Sequence, residues 1–214
     1  MKIIPDKYIT PNIKDYDVVL YGMGINNSMY KGFANEIALN FPKVRELENA
    51  TMYGAISKYG TVHCVKDSGI IFAACYCNNG GYKKKDDSSF IDYDHLKKCL
   101  TIVADNFHDK RICSPLIGYS KYDGNGDYDA ILNIYKDIFK NIDIDIYPHY
   151  EYDFKEYIYH EVSKLAYKRK SGEMTMDEYI RERSKLEWKR KNGIFVKMPE
   201  NYNYKEDNKK KKTI

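Results

Sequence analysis

The chain has 214 residues, 43% hydrophobic and 31% charged, which is enough apolar side chain for a full core and excludes a disordered polymer. Its net charge of +4 is uneven: from Lys168 onward 15 Lys and Arg face 8 Asp and Glu, so residues 1–167 carry −3, which gives no reason to expect a nucleic-acid groove in the core. No apolar run approaches the ~20 residues needed to cross a bilayer, and Met1–Thr10 is not a secretory signal, so a cytoplasmic protein with no membrane partner is expected.

The first apolar run, Asp17–Tyr21, predicts a buried strand that enters the loop Gly22-Met23-Gly24-Ile25-Asn26-Asn27-Ser28, rich in residues that tolerate unusual backbone angles. Phe33, Ile37, Ala38 and Phe41 then recur at helical spacing, and Pro42 is expected to end that helix. Met52–Ser57 and Thr61–Val65 alternate about Lys58-Tyr59-Gly60, which predicts extended chain with a turn. The longest apolar run, Gly69–Cys77, predicts a central strand buried on both faces. After a polar loop containing Lys83-Lys84-Lys85, Asp92 is placed to cap a helix whose apolar face is Leu96, Cys99, Leu100, Val103 and Phe107. Arg111–Ile117 predicts another strand, which runs into the loop Gly118–Asp127. A helix with Ile131, Ile134, Tyr135, Ile138 and Phe139 on one side follows, and then a last strand over Ile142–Tyr147. This alternation of strands and helices predicts an α/β fold with a largely parallel sheet.

In such sheets ligands bind beyond the carboxyl ends of the strands. The loop Gly22–Ala34 supplies small residues, amides and a helix N-terminus, whose N–H groups attract phosphate. Gly118–Asp127 is glycine-rich and also opens a helix. Neither loop has the dinucleotide-fold or P-loop spacing, so each is open to a reading as a tight turn. Asp127 and Asp129 suit helix capping, whereas Asp123 could accept a proton or stabilise a turn. Cys75 and Cys77 share a strand face and read as packing; with Cys64, Cys99 and Cys113 they make an odd, scattered set that predicts reduced thiols. His63, His95, His108, His149 and His160 have no metal-ligand spacing, and no cofactor is expected.

The order of elements and these two loops resemble the macrodomain family. Asn26-Asn27-Ser28-Met29-Tyr30-Lys31-Gly32-Phe33-Ala34 with the helix to Phe41-Pro42 is similar to its first ligand loop. Pro115-Leu116-Ile117-Gly118 with Asp127-Tyr128-Asp129 is similar to its second. The resemblance covers residues 15–148 and is nearest to the short branch of ADP-ribose-1″-phosphate phosphatases and terminal-ADP-ribose-glutamate hydrolases. It implies a three-layer α/β/α sandwich that recognises ADP-ribose or a related nucleotide. Asn26 and Asn27, with the neighbouring Ser28, would face the distal ribose. Lys31, Gly32, Phe33 and Ala34 would set backbone N–H groups against the diphosphate. Gly118, Tyr119, Ser120, Tyr122, Gly124 and Asn125 would close over the phosphates and ribose. Asp123 and Asp127 are the candidate catalytic acids for hydrolysis at the distal ribose. One hydrolase subgroup uses a lysine at the end of the central strand, where this chain has Cys77 and Asn78. Both a hydrolase of ADP-ribose derivatives and a non-catalytic binder or sequestering protein remain open.

The domain expected from this reading spans residues 1–150. In 151–193, the stripe Phe154, Ile158, Val162, Leu165, Ala166 and the capping box Thr175–Glu178 predict a helical extension, whose apolar faces could support a homo-oligomer. Residues 194–214, with Lys209–Lys212, read as a basic disordered tail that could touch nucleic acid.

Overall fold

A computed structural model of the chain describes residues 1–78, 90–120, 124–148, 151–192 and 198. The chain divides into two compact units, Met1–Asp153 and Phe154–Ile214.

The first unit is built on one six-stranded sheet. Its strands are β1 (Lys2–Ile3), β2 (Val18–Gly24), β3 (Val62–Asp67), β4 (Ile70–Asn78), β5 (Ile112–Pro115) and β6 (Ile144–Tyr147), in the spatial order β1-β6-β5-β2-β4-β3. Every neighbouring pair is parallel except β3–β4, an antiparallel hairpin turned by Ser68 and Gly69. The helices are α1 (Gly32–Asn40), α2 (Pro42–Asn49), α3 (Tyr93–Phe107) and α4 (Tyr128–Ile138).

Side chains alternate across the sheet because successive strand residues point to opposite faces. Val19, Tyr21 and Met23 meet Phe33, Ile37, Phe41 and Val44 in one apolar layer. Val18, Leu20, Ala73, Cys75 and Cys77 meet Leu96, Leu100, Ile131 and Tyr135 in the other. Strands buried on both faces need continuous apolar sequence, and β4 is the clearest case. The result is a three-layer α/β/α sandwich. Cys75, Cys77, Cys99 and Cys113 are buried and Cys64 is exposed; no disulfide forms among the five. Burial pushes the Cys113 thiol up, away from reactivity.

The structure bears out the sequence reading at Pro42 and departs from it at Met52–Ser57. The helix α1 ends at Asn40, ahead of Pro42 as expected; Phe41 (φ −132°, ψ 74°) makes a corner, and Pro42 is itself the first residue of α2, where a missing N–H costs no bond. Met52–Ser57 is a turn leading into a 3₁₀ turn, Ile56–Lys58, because Gly54 (φ +69°) bends the chain before β3 can begin. Asp92 does cap α3, accepting from the His95 N–H at 2.9 Å.

The second unit holds the helix pair α5 (Glu151–Lys170) and α6 (Met176–Asn192), the former beginning just before the unit boundary. Gly172 (φ +81°) ends α5, with the Glu173 N–H reaching the Lys168 carbonyl at 3.0 Å. The capping box forms as expected: the Thr175 N–H donates to Glu178 at 2.9 Å and the Glu178 N–H to Thr175 Oγ1 at 3.3 Å. No helix among the described residues is long and apolar enough to cross a membrane. Lys83–Lys85, His149 and the tail from residue 199 lie outside the described residues.

Candidate functional site

The site follows from strand order. β2 lies between β5 and β4, and all three run parallel. Parallel neighbours lie about 4.8 Å apart, so the loops leaving their carboxyl ends open on the same edge of the sheet. The chain crosses from β2 to β4 on one side and returns to β5 on the other, which makes this edge the topological switch point.

The loop after β2, Ile25–Lys31, ends at the N-terminus of α1. Lys31 is the N-cap residue with extended backbone (φ −140°, ψ 160°), and no described side chain caps the helix. Gly32 adopts φ +58°, a left-handed conformation that favours glycine, and is buried with Phe33 and Ala34. Ser28 and Lys31 are exposed, and the Ser28 N–H reaches Asn26 Oδ1 at 3.4 Å. Asn27 differs from its neighbour. It is 7% exposed and left-handed (φ +52°), with its side chain turned inward. Its Nδ2 donates to the Thr51 carbonyl at 2.9 Å, and its Oδ1 accepts from Lys58.

The loop after β5 is shaped by glycine against glycine. Gly118 has φ +82°, and a Cβ there would lie 2.6 Å from Ile91 Cδ1; one on Gly124 would lie 2.4 Å from the Gly118 carbonyl oxygen. The Gly126 N–H donates to that same oxygen at 2.8 Å, and the N–H groups of Gly124 and Asn125 both reach the Ser120 carbonyl at 2.9 Å. The segment after β4 closes against this loop: Phe90 N–H donates to the Gly124 carbonyl at 2.9 Å, and Ile91 pairs with Asn78. Tyr119 is half-buried and meets the Tyr128 ring edge-on with centroids 5.0 Å apart. Ser120 is buried. Asp127 is exposed and caps α4, accepting from the Ala130 N–H at 2.8 Å. Tyr122 and Asp123 lie outside the described residues.

Behind the first loop is a polar cluster that sequence patterns do not reveal. Glu48, on the last turn of α2, is 0% exposed. Its Oε2 accepts from the Tyr76 hydroxyl at 2.6 Å; its Oε1 accepts from the Tyr21 hydroxyl at 3.1 Å and lies 2.7 Å from His63 Nδ1. Burial and the Glu48 charge hold both tyrosine hydroxyls well above their usual range, so they remain donors. Glu48, Lys58, Thr51 and Ile91 thus shape the two loops from separations no local motif marks.

A cavity of about 690 Å³ lined by Thr10, Lys14, Asn40, Phe41, Ser68 and Ile70 lies at the amino end of β4, the opposite end of the strands from the two loops. Its one cationic side chain is Lys14. Among the described residues no group of His, Cys, Asp or Glu is arranged to hold a metal ion.

No protein-family profile matches the sequence, and no curated protein matches it significantly. Solved structures do resemble it. A protein of unknown function from Bacteroides thetaiotaomicron superposes with a TM-score of 0.56 at 21% identity, over 69% of this chain and 98% of its own. A second protein from that organism gives 0.52 at 22% identity, over 61% and 87%. The macrodomain of DarG from Thermus aquaticus gives 0.52 at 9% identity, over 69% and 97%. At such identities the likeness is one of fold. With its mostly parallel six-stranded sheet between two helical layers, the chain has a macrodomain-like fold.

Proposed function

We propose that the carboxyl edge of β2 and β5 binds an ADP-ribose-type nucleotide. The observation that carries this reading is the pairing, on adjacent parallel strands, of a loop that opens a helix N-terminus which no described side chain caps and a loop whose glycines let its backbone fold tightly against itself. A helix N-terminus carries about half a positive charge and points its first-turn N–H groups along the helix axis, which suits a diphosphate. By its resemblance, the second loop would close over the ribose. Ser28 is exposed and Asn26 half-buried, and both would meet the distal ribose, while Lys31, Gly32, Phe33 and Ala34 would surround the diphosphate.

Calorimetry of ADP-ribose against the full chain tests this reading. We expect saturable one-to-one binding, tighter for ADP-ribose than for ADP or ribose 5-phosphate. Lys31→Glu is the cleaner probe of the phosphate end than a change at Gly32, because Gly32 is buried with φ +58° and any side chain there also strains the fold. Placing an anion at this exposed N-cap leaves α1 intact and should weaken ADP-ribose by about tenfold, the scale of a charge at a helix end. A folded wild-type chain that takes up none of these nucleotides would sink the proposal.

Hydrolysis at the distal ribose needs a carboxylate beside a water. The Asp127 carboxylate is committed to the α4 cap, which makes Asp123 the residue proposed for that step. In a hydrolase, Asp123→Asn should lower product formation by about 10²-fold or more with affinity retained, since Asn keeps the size and loses the proton acceptor. Asp127→Asn should change stability slightly, because Asn also caps well. A wild-type protein that binds and forms no product is a binder.

A further inference from the structure

Lys58 meets the first loop from below. Its ammonium donates to Asn27 Oδ1, to Thr51 Oγ1 at 2.8 Å and to the Met52 carbonyl at 3.3 Å. An ammonium has three N–H donors and no acceptor, so these three partners use it completely. The same nitrogen stands 4.3 Å from the centroid of the Tyr76 ring, whose hydroxyl holds the buried Glu48. The orientation of the Asn27 amide is settled by chemistry: Lys58 can only donate to it and the Thr51 carbonyl can only accept from it. Thr51 is in turn fixed, its hydroxyl reaching the Glu48 carbonyl at 2.7 Å. Partial burial draws the Lys58 pKa down while the Glu48 charge opposes that shift. The cation therefore also serves the buried carboxylate.

We propose that Lys58 is a positioning residue for the ligand loop Ile25–Lys31: it locks Asn27 in its left-handed turn from the inner side, so that Asn26 and Ser28, and not Asn27, present their side chains to the nucleotide. The ligand part of this inference rests on the proposed function; the brace itself does not. A left-handed non-glycine residue is strained unless its surroundings hold it, and here both ends of the amide are held. Asn27 is too buried to reach a ligand without giving up these bonds.

The test uses the full chain as wild type, Lys58→Met, Asn27→Ala, the double variant and Lys58→Arg. Two measurements are made on each: ADP-ribose calorimetry and hydrogen exchange of the peptide containing residues 25–31. If Lys58 acts through Asn27, each single change should weaken ADP-ribose by about tenfold and the double variant by little more, since coupled residues are not additive. Lys58→Arg, which keeps charge and donors, should recover most of the affinity. Exchange in 25–31 should rise in Lys58→Met while β2 and β5 stay protected. A role in stability alone would lower the melting temperature without this coupling in affinity. Additive losses, or unchanged exchange in Lys58→Met, overturn the proposal. Should Lys58→Met fail to fold, Thr51→Val removes one arm of the brace and must raise exchange in the same peptide. A wild type that takes up no ADP-ribose defeats the ligand reading, and exchange still decides the role of Lys58.

Discussion

Glu48→Ala is expected to cost about 3–5 kcal/mol of stability, measured by chemical denaturation, which is the scale for removing one partner from a buried charged cluster. An acidic residue at the last turn of a helix is electrostatically disfavoured, and a fully buried one costs several kcal/mol in lost hydration. Glu48 occupies that position because four groups compensate it: two tyrosine hydroxyls, the His63 ring and, through the Tyr76 face, Lys58. Alanine leaves both hydroxyls buried without an acceptor and opens a cavity under the first loop. Against a typical total of about 5–15 kcal/mol this leaves a marginal fold. Exposed pairs such as Lys164–Glu161 and Arg183–Glu187 contribute at most about 1 kcal/mol each. Glu48→Gln keeps the shape and one acceptor oxygen, and should cost only about 1–2 kcal/mol. A loss below about 1 kcal/mol in Glu48→Ala would mean that water replaces the carboxylate and that the cluster does not organise this corner.

Gly124→Ala should reduce ADP-ribose affinity by about 10²-fold while costing only about 1–3 kcal/mol of stability. The added Cβ would stand 2.4 Å from the Gly118 oxygen and 2.6 Å from the Gly118 Cα, and neither backbone atom has a rotamer to yield. Relief requires the loop to open, which breaks the bond from the Gly126 N–H to Gly118 and shifts Ser120 and Asn125. A shift of about 1 Å in a positioning loop is enough for a 10²-fold effect. Gly69→Ala is the control. It lies in the β3–β4 hairpin with a positive φ (+86°), so alanine strains the backbone there, but nothing lies within 4 Å of its Cβ. It should lower the melting temperature and leave binding alone. Equal affinities for wild type and Gly124→Ala would remove this loop from the site.

The sequence carries the sandwich well where the physics is local. The apolar run through Ile70–Asn78 demands burial on both faces, and Asp92, Asp127 and the Thr175–Glu178 pair mark helix starts by side-chain bonds spanning only three residues. The end of α1 ahead of Pro42 is legible as well; that the same proline also opens α2 is not, because it depends on the corner at Phe41. Met52–Ser57 reads as extended chain, yet Met52, Tyr53 and Ile56 stay exposed in a turn, because a pattern of side chains does not report whether a partner strand is available. The glycines and amides of the two loops are visible as composition. Which glycine is indispensable depends on Ile91, and which of two adjacent asparagines turns inward depends on Lys58, 31 residues away. Tertiary contacts of that kind leave no periodic trace.

The placement of β2 between β4 and β5 also governs how the chain can be made. Val18 pairs with Ile112, about 94 residues further along, so at roughly 5–20 residues per second the ribosome takes on the order of 5–20 s to deliver the second flank of the central strand. In the later part of that interval, once β4 (Ile70–Asn78) has been made and covers one edge of Val18–Gly24, the other edge still has its ladder groups open. A nascent chain in this state is a template for strand addition by any neighbour. Synonymous codons that slow translation between residues 80 and 112 should therefore lower soluble yield without altering a single contact of the finished protein.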